Sequence, residues 1–259
     1  MTALHHEVYG HGEPVIMLHG WAMHTGVWRN FAQLLAAEEN QVICLDLPGH
    51  GLSASIAPYT LDSVVDAIYT QLPEQASALV GWSLGGNIAL RLAEKYPLSV
   101  KSLLLIATNP HFLETETWSG MSPQLLQEFT SNLQKNCMQT LLRFMSLQVQ
   151  GKPDAKSSLM QIKRAMQECA LPELEALMAG LSVLQTIDQR KTLSSLNKPV
   201  LMILGELDTL VPESVGRQCQ LLSPQIDLKI IPGAGHMPFI TDQKQLLTLM
   251  QEFMLWNNS

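Results

Sequence analysis

Short apolar runs recur along the chain, and each ends where glycine or polar residues take over. Val15 to Leu18 leads into His19-Gly20-Trp21, and Gln41 to Leu45 leads into Asp46-Leu47-Pro48-Gly49-His50-Gly51. Ala78 to Val80 leads into Gly81-Trp82-Ser83, and Val100 to Ala107, Val200 to Leu204 and Leu228 to Ile231 complete the series. Between most of them apolar residues fall at helical spacing, as in Trp28 to Ala37, Leu61 to Leu72 and Asn87 to Lys95. Apolar runs without alternation suit strands buried on both faces. Interleaved with helices, they predict an α/β fold with a mostly parallel central sheet covered on both sides. Ligands of such sheets sit outside the carboxyl ends of the strands, where this chain places its glycine and polar residues.

The alternation stops between about Pro110 and Arg190. No strand pattern is visible there, and four helices are predicted instead, over about Pro123 to Leu133, Cys137 to Gln148, Ala155 to Cys169 and Pro172 to Thr186. Pro153 and Pro172 stand near helix starts, where proline is tolerated. The organisation expected is a core of residues 1–109 and 191–259, with 110–190 inserted as a helical lid over the strand ends.

Composition narrows the picture. At 259 residues with 46% hydrophobic and 15% charged, the chain can bury one substantial core and is not disordered. A net charge of −7 argues against general nucleic-acid binding. No apolar stretch is long enough to cross a bilayer, and the start of the chain has no signal-peptide pattern. Cys44, Cys137, Cys169 and Cys219 are scattered, without metal-ligand spacing, and are expected as free thiols of a cytoplasmic protein. No metal and no cofactor is expected.

The chemistry concentrates in Gly81-Trp82-Ser83-Leu84-Gly85. A Gly-x-Ser-x-Gly pattern between a strand and a helix lifts the serine onto a strained turn, with its hydroxyl free to attack a carbonyl carbon. A serine at this place can also be a plain helix N-cap, but the flanking glycines and two downstream partners favour a nucleophile. The base and its orienting acid should follow in the order acid, histidine. Asp208 lies just past the run ending at Leu204, and His236 lies in the glycine-rich loop after Ile231. Glu206 is the competing acid, but it directly follows the strand-ending Gly205. His236 alone of eight histidines follows the acid. His5, His6 and His11 are expected at the surface; His24, His50 and His111 could line the pocket but are expected to hydrogen-bond rather than to take part in catalysis. Oxyanion donors are expected from the backbone N–H groups of Leu84 and Trp21, each contributing roughly 3 to 4 kcal/mol in the transition state. The Trp21 ring should shape the acyl pocket.

These residues resemble the α/β-hydrolase superfamily over essentially the whole chain. The Arg143-Phe144-Met145-Ser146-Leu147-Gln148 run, with Trp82 ahead of the serine, resembles more narrowly the BioH family of pimeloyl-acyl carrier protein methyl ester carboxylesterases. The resemblance implies a metal-free serine esterase of biotin synthesis, acting on a methyl ester carried by acyl carrier protein. It also implies substrate contacts at Trp21, Ser83, Leu84, Phe144, Met145, Ser146, Leu147, Gln148 and His236. General short-chain carboxylesterases, thioesterases and carbon–carbon bond hydrolases share the serine and a helical lid, and a non-catalytic ligand-binding protein of this fold is a further alternative. An aspartate nucleophile, as in haloalkane dehalogenases and epoxide hydrolases, is excluded by Ser83.

Charge adds an independent clue. Lys135, Arg143, Lys152, Lys156, Lys163 and Arg164 face only Asp154 in the same stretch, a net +5 inside a chain of −7. On a helix from Ala155, Lys156, Lys163 and Arg164 share one face, and Leu159, Ile162 and Met166 another. A basic lid rim suits an acidic partner, so Arg143, Lys156, Lys163 and Arg164 are candidates for docking acyl carrier protein. Gln139 and Met160 stand where that family tends to be basic. The enzyme is expected to act as a monomer.

Overall fold

A computed structural model describes residues 3–37, 39–149 and 155–256. Its centre is a seven-stranded sheet of order β1-β3-β2-β4-β5-β6-β7, made of β1 (His6–Tyr9), β2 (Glu13–Leu18), β3 (Asn40–Leu45), β4 (Ser77–Trp82), β5 (Val100–Ile106), β6 (Val200–Gly205) and β7 (Asp227–Ile231). Strands β2 to β7 run parallel, and only β1 is antiparallel, pairing with β3 from His6↔Leu45 to Tyr9↔Val42. All six residues of β4 and all six of β6 are buried, which accounts for their continuous apolar reading. The apolar runs thus mark the parallel strands, while β1 has no such signature. It is short, sits at the edge and alternates exposed with half-buried positions.

Helices α1 (Arg29–Ala36), α2 (Leu61–Tyr69) and α3 (Leu84–Lys95) fill the connections between the first strands. Thr60 starts α2 with a reciprocal cap, its side chain accepting from the Ser63 N–H while Ser63 accepts from the Thr60 N–H. Between β5 and β6 come α4 (Pro123–Lys135), α5 (Cys137–Leu147), α6 (Ala155–Glu168), α7 (Leu174–Thr186) and the short α8 (Arg190–Ser195). Asn136 ends α4 by donating its backbone N–H to the Asn132 carbonyl at 2.9 Å and starts α5 with its side chain, which accepts from the Gln139 N–H at 3.2 Å. Proline 153, expected near a helix start, lies outside the described residues. After β6 follow α9 (Glu213–Leu222), α10 (Pro238–Thr241) and α11 (Gln243–Trp256). Among the described residues no helix is long and apolar enough to cross a membrane.

The inserted helices are fastened to the core at the end of α6. His24 Nε2 donates to the Ala165 carbonyl at 2.7 Å, and Arg29 grips both Glu168 carboxylate oxygens at 2.7 Å while also reaching Glu7. The buried histidine bond carries most of this tie, because half-exposed ion pairs contribute little.

The core closes tightly around the turn between β4 and α3. A Cβ on Gly81 would stand 2.5 Å from the Gly86 nitrogen, and one on Gly85 would stand 2.6 Å from the His19 carbonyl oxygen. Both obstacles are backbone and cannot rotate away. Gly85→Ala should therefore destabilise the protein by about 1–3 kcal/mol through overpacking, read as a lower urea midpoint at unchanged slope. A midpoint equal to that of the unsubstituted protein would contradict this packing.

Candidate active site

Ser83 occupies the tip of the β4–α3 turn with φ 55° and ψ −116°, a conformation that costs a non-glycine residue of order 1–3 kcal/mol. Its backbone is held on both sides. The N–H donates to the Ile106 carbonyl at 2.9 Å, and the carbonyl accepts from the N–H groups of Gly86 and Asn87 at 3.0 and 3.3 Å. The side chain makes no capping hydrogen bond to α3. The serine thus stands at the N-cap position without doing a cap's work, and its half-buried side chain lines a cavity instead.

Asp208 and His236 come together from the loops after β6 and β7. The carboxylate Oδ2 meets His236 Nδ1 at 2.7 Å, while Oδ1 accepts from the backbone N–H groups of Leu210 and Val211 at 2.8 and 3.0 Å. Both side chains are almost completely buried. With Nδ1–H donating to the acid, the Nε2 atom is left to accept a proton, and three hydrogen bonds fix the carboxylate that sets this tautomer. Trp82 Nε1 donates to the His236 carbonyl at 2.9 Å, which anchors the histidine to the residue just before the serine. The Leu207 N–H bonds the Ala234 carbonyl at 2.8 Å and ties the two loops together. Glu206, the competing acid, turns to the exposed side and accepts from the Gly233 N–H at 2.7 Å.

The loop after β2 is braced from below. His19 Nε2 accepts from the Leu47 N–H at 2.9 Å, so its Nδ1 carries the proton and donates to the Gly20 carbonyl at 2.8 Å. That carbonyl also receives the Met23 N–H at 3.3 Å. Because the peptide is planar, fixing the Gly20 carbonyl fixes the opposed direction of the Trp21 N–H. Leu84 is the first residue of α3, and its N–H has no partner within the helix. Trp21 and Ser83 line the same cavity, and Leu84 directly follows the serine.

The cavity in front of Ser83 measures about 330 Å³, within the range of small-molecule sites. Trp21, Trp82 and His236 form its floor with the serine, and the helices supply apolar walls from Phe129, Phe144, Leu181 and Leu184. The Trp21 ring meets Phe129 and Phe144 edge-on, each at 5.6 Å between centroids. Of the Phe144–Gln148 run, Phe144, Leu147 and Gln148 line the cavity. Met145 and Ser146 do not, because a turn of 100° per residue points them elsewhere. Met145 is fully buried, and the Ser146 hydroxyl donates back to the Leu142 carbonyl at 2.7 Å.

His24, His50 and His111 do not line the cavity, but they make hydrogen bonds as expected. They bond the carbonyls of Ala165, Pro48 and Ile187 and serve as struts. His6 and His11 are exposed as expected, and His5 is half-buried. The walls from α4 and α7 are where sequence reasoning named nothing, although Leu177, Leu181 and Leu184 follow helical spacing.

Arg143, Lys156, Lys163 and Arg164 are all exposed, as is Lys135, while Ile162, Ala165 and Met166 are buried on the opposite side of α6. Lys152 and Asp154 of the basic stretch lie outside the described residues. Lys135 and Arg143 flank a groove between α4 and α5 that shares Leu125, Phe129, Phe144 and Leu147 with the cavity.

Burial holds His19 well below the ordinary histidine range, and nearby His50 adds repulsion; burial also lowers His50. Both are neutral in the native state, whereas the unfolded chain takes up protons below about pH 6.5. Native stability is therefore complete above that value and falls on acidification, by up to about 1.4 kcal/mol per pH unit for each histidine. The urea midpoint should be flat from pH 7 to 8 and drop below about pH 6. A midpoint constant down to pH 5 would contradict neutral buried struts.

Residues 13–243 match the model of the alpha/beta hydrolase fold family. The pimeloyl-[acyl-carrier protein] methyl ester esterase of Aliivibrio salmonicida is 35% identical over 98% of this chain and 96% of its own length. The protein of the same name from Nitrosomonas europaea is 37% identical over 96% and 98%. Among solved structures, an esterase from Exiguobacterium antarcticum superposes with a TM-score of 0.88 over 100% of this chain and 96% of that one, at 20% identity. A bromoperoxidase from Bacillus anthracis reaches 0.87 over 97% and 95%, at 21% identity. At those identities the structures speak for the fold alone, while the sequence relatives speak for the group. The chain belongs to the alpha/beta hydrolase fold family and, within it, to the pimeloyl-[acyl-carrier protein] methyl ester esterases.

Proposed function

We propose that this enzyme hydrolyses the methyl ester of pimeloyl-acyl carrier protein, giving pimeloyl-acyl carrier protein and methanol in biotin synthesis. One observation carries the reading: a serine held on a strained turn opens onto an apolar cavity, beside a histidine whose tautomer is set by a buried carboxylate. In this reading Ser83 Oγ attacks the ester carbonyl while His236 Nε2 takes its proton. The oxyanion receives the N–H groups of Trp21 and Leu84. His236 then returns the proton to the departing methanol, leaving an acyl-serine. Water, deprotonated by the same histidine, releases the acid and regenerates the serine. Asp208 keeps the imidazole oriented and stabilises its charged form.

The apolar walls suit a methylene chain, and residues 110–190 act as the lid that supplies them. Carrier recognition falls to the basic residues of that lid. Lys156, Lys163 and Arg164 share the exposed side of α6, and Arg143 flanks the groove that continues the cavity. An acidic carrier is steered to such a rim, which raises the association rate more than it tightens the complex. The enzyme acts as a cytoplasmic monomer with acyl carrier protein as its protein partner.

Ser83→Ala should remove methanol release from methyl pimeloyl-acyl carrier protein while leaving the melting temperature unchanged; undiminished turnover would contradict the mechanism. Lys163→Glu with Arg164→Glu should lower kcat/KM on the carrier-bound ester about tenfold or more at low salt and spare a free methyl ester of similar length. Equal loss on both substrates would contradict a docking role.

A further inference from the structure

The side chain of Trp21 is held by the inserted helices. Its indole N–H donates to the Leu177 carbonyl of α7 at 2.9 Å, in a buried setting. One turn further along α7, Gly180 lies flat against the ring. A Cβ there would stand 2.8 Å from Trp21 Cδ1, 3.2 Å from Nε1 and 3.8 Å from Leu84 Cδ2. A side chain at position 180 would therefore press on Trp21 and come into ordinary van der Waals range of Leu84, the two residues proposed as oxyanion donors. Phe129 of α4 and Phe144 of α5 close the rest of the indole edge-on.

Glycine inside a helix is unfavourable relative to alanine, so this position carries a cost that the close approach of Trp21 explains. The backbone beside the ring is also strained, since Ala22 sits at φ 61° without being glycine. Such a turn persists only where its surroundings over-determine it. The His19 brace fixes the tilt of the Gly20–Trp21 peptide, and α7 fixes where the residue stands.

We infer that Leu177 and Gly180 of α7 are positioning residues for the oxyanion donors, so that catalytic alignment depends on the inserted helices being seated. The inference rests on the reading of Trp21 and Leu84 as those donors. A lid in place then completes the donor pair, and a displaced lid leaves Ser83 with a poorer one. Misplacement of about an ångström at such a site can cost up to ~100-fold in rate.

The test uses the full chain carrying Gly180→Ala, with Trp21→Phe as the second variant, which keeps an aromatic ring but loses the bond to Leu177. Each should lower kcat at least about tenfold, below the ~100- to 1000-fold of losing a donor outright, with the melting temperature nearly unchanged and, for Gly180→Ala, whose residue does not line the cavity, KM within threefold. A trifluoromethyl ketone analogue of the ester, which adds Ser83 and presents an oxyanion, should lose affinity in the same proportion, while Gly180→Ala binds the product-like dicarboxylate pimelate as before. The double variant should fall little below the worse single one, because both act through the same indole. Full kcat in Gly180→Ala, or a loss of kcat with ketone affinity retained, overturns the inference. If Gly180→Ala fails to fold, the same readings on Trp21→Phe decide it. An unsubstituted enzyme that the ketone does not inhibit overturns instead the underlying reading of the serine and its donors.

Discussion

The backbone of Ser83 sits where almost no L-residue rests, and much of the active end of the molecule serves to keep it there. Gly81, Gly85 and Gly86 let β4, β2 and α3 approach until no Cβ fits between them. The carbonyl of Ile106 on β5 and the N–H groups at the start of α3 hold the turn from both sides. Strain of a few kcal/mol is affordable because these contacts are made by fully buried strands. In return the hydroxyl leaves the helix end uncapped and faces the cavity. The same close packing brings the end of β2 and His19 against Gly85, next to the proposed donor pair of Trp21 and Leu84. His236 joins this unit through Trp82, and Asp208 through His236.

Much of this was legible in the sequence, for a physical reason. Buried parallel strands must be apolar throughout, so their ends are visible, and the fold puts chemistry at those ends. Ser83, Asp208 and His236 could be named from the loops that follow three such runs, and His19-Gly20-Trp21 from a fourth. What escaped was whatever depends on partners distant in sequence. Strand β1 survives through pairing with β3, with no apolar pattern of its own. His24 and His111 read as hydrogen-bonding groups, but the sequence does not say that their partners are the carbonyls of Ala165 and Ile187. Helical periodicity identified the inserted helices without telling which side meets the cavity. It therefore does not single out Leu181, Leu184 and Phe129, and the family resemblance names the Phe144–Gln148 run whole, although Met145 and Ser146 turn away from the cavity.

The inserted helices make two kinds of contact with the core. At the end of α6 the ties are ordinary struts, a histidine to a carbonyl and an arginine between carboxylates. At α7 and α5 they reach the chemistry. Leu177 and Gly180 hold the Trp21 indole, and the Gln148 carbonyl accepts the His236 N–H at 3.2 Å. A segment that supplies the apolar walls therefore also touches the donor loop and the histidine loop. One stretch of chain thus shapes the cavity and contacts both Trp21 and the loop of His236.

The central claim is that Ser83, and not a directly activated water, attacks the ester. Rapid quenching of methyl pimeloyl-acyl carrier protein turnover, followed by mass spectrometry of the peptide containing Ser83, tests it most directly. The account predicts a transient acyl adduct on that peptide, formed as methanol is released and lost on hydrolysis. Methanol release with no adduct on Ser83 at any time would contradict it.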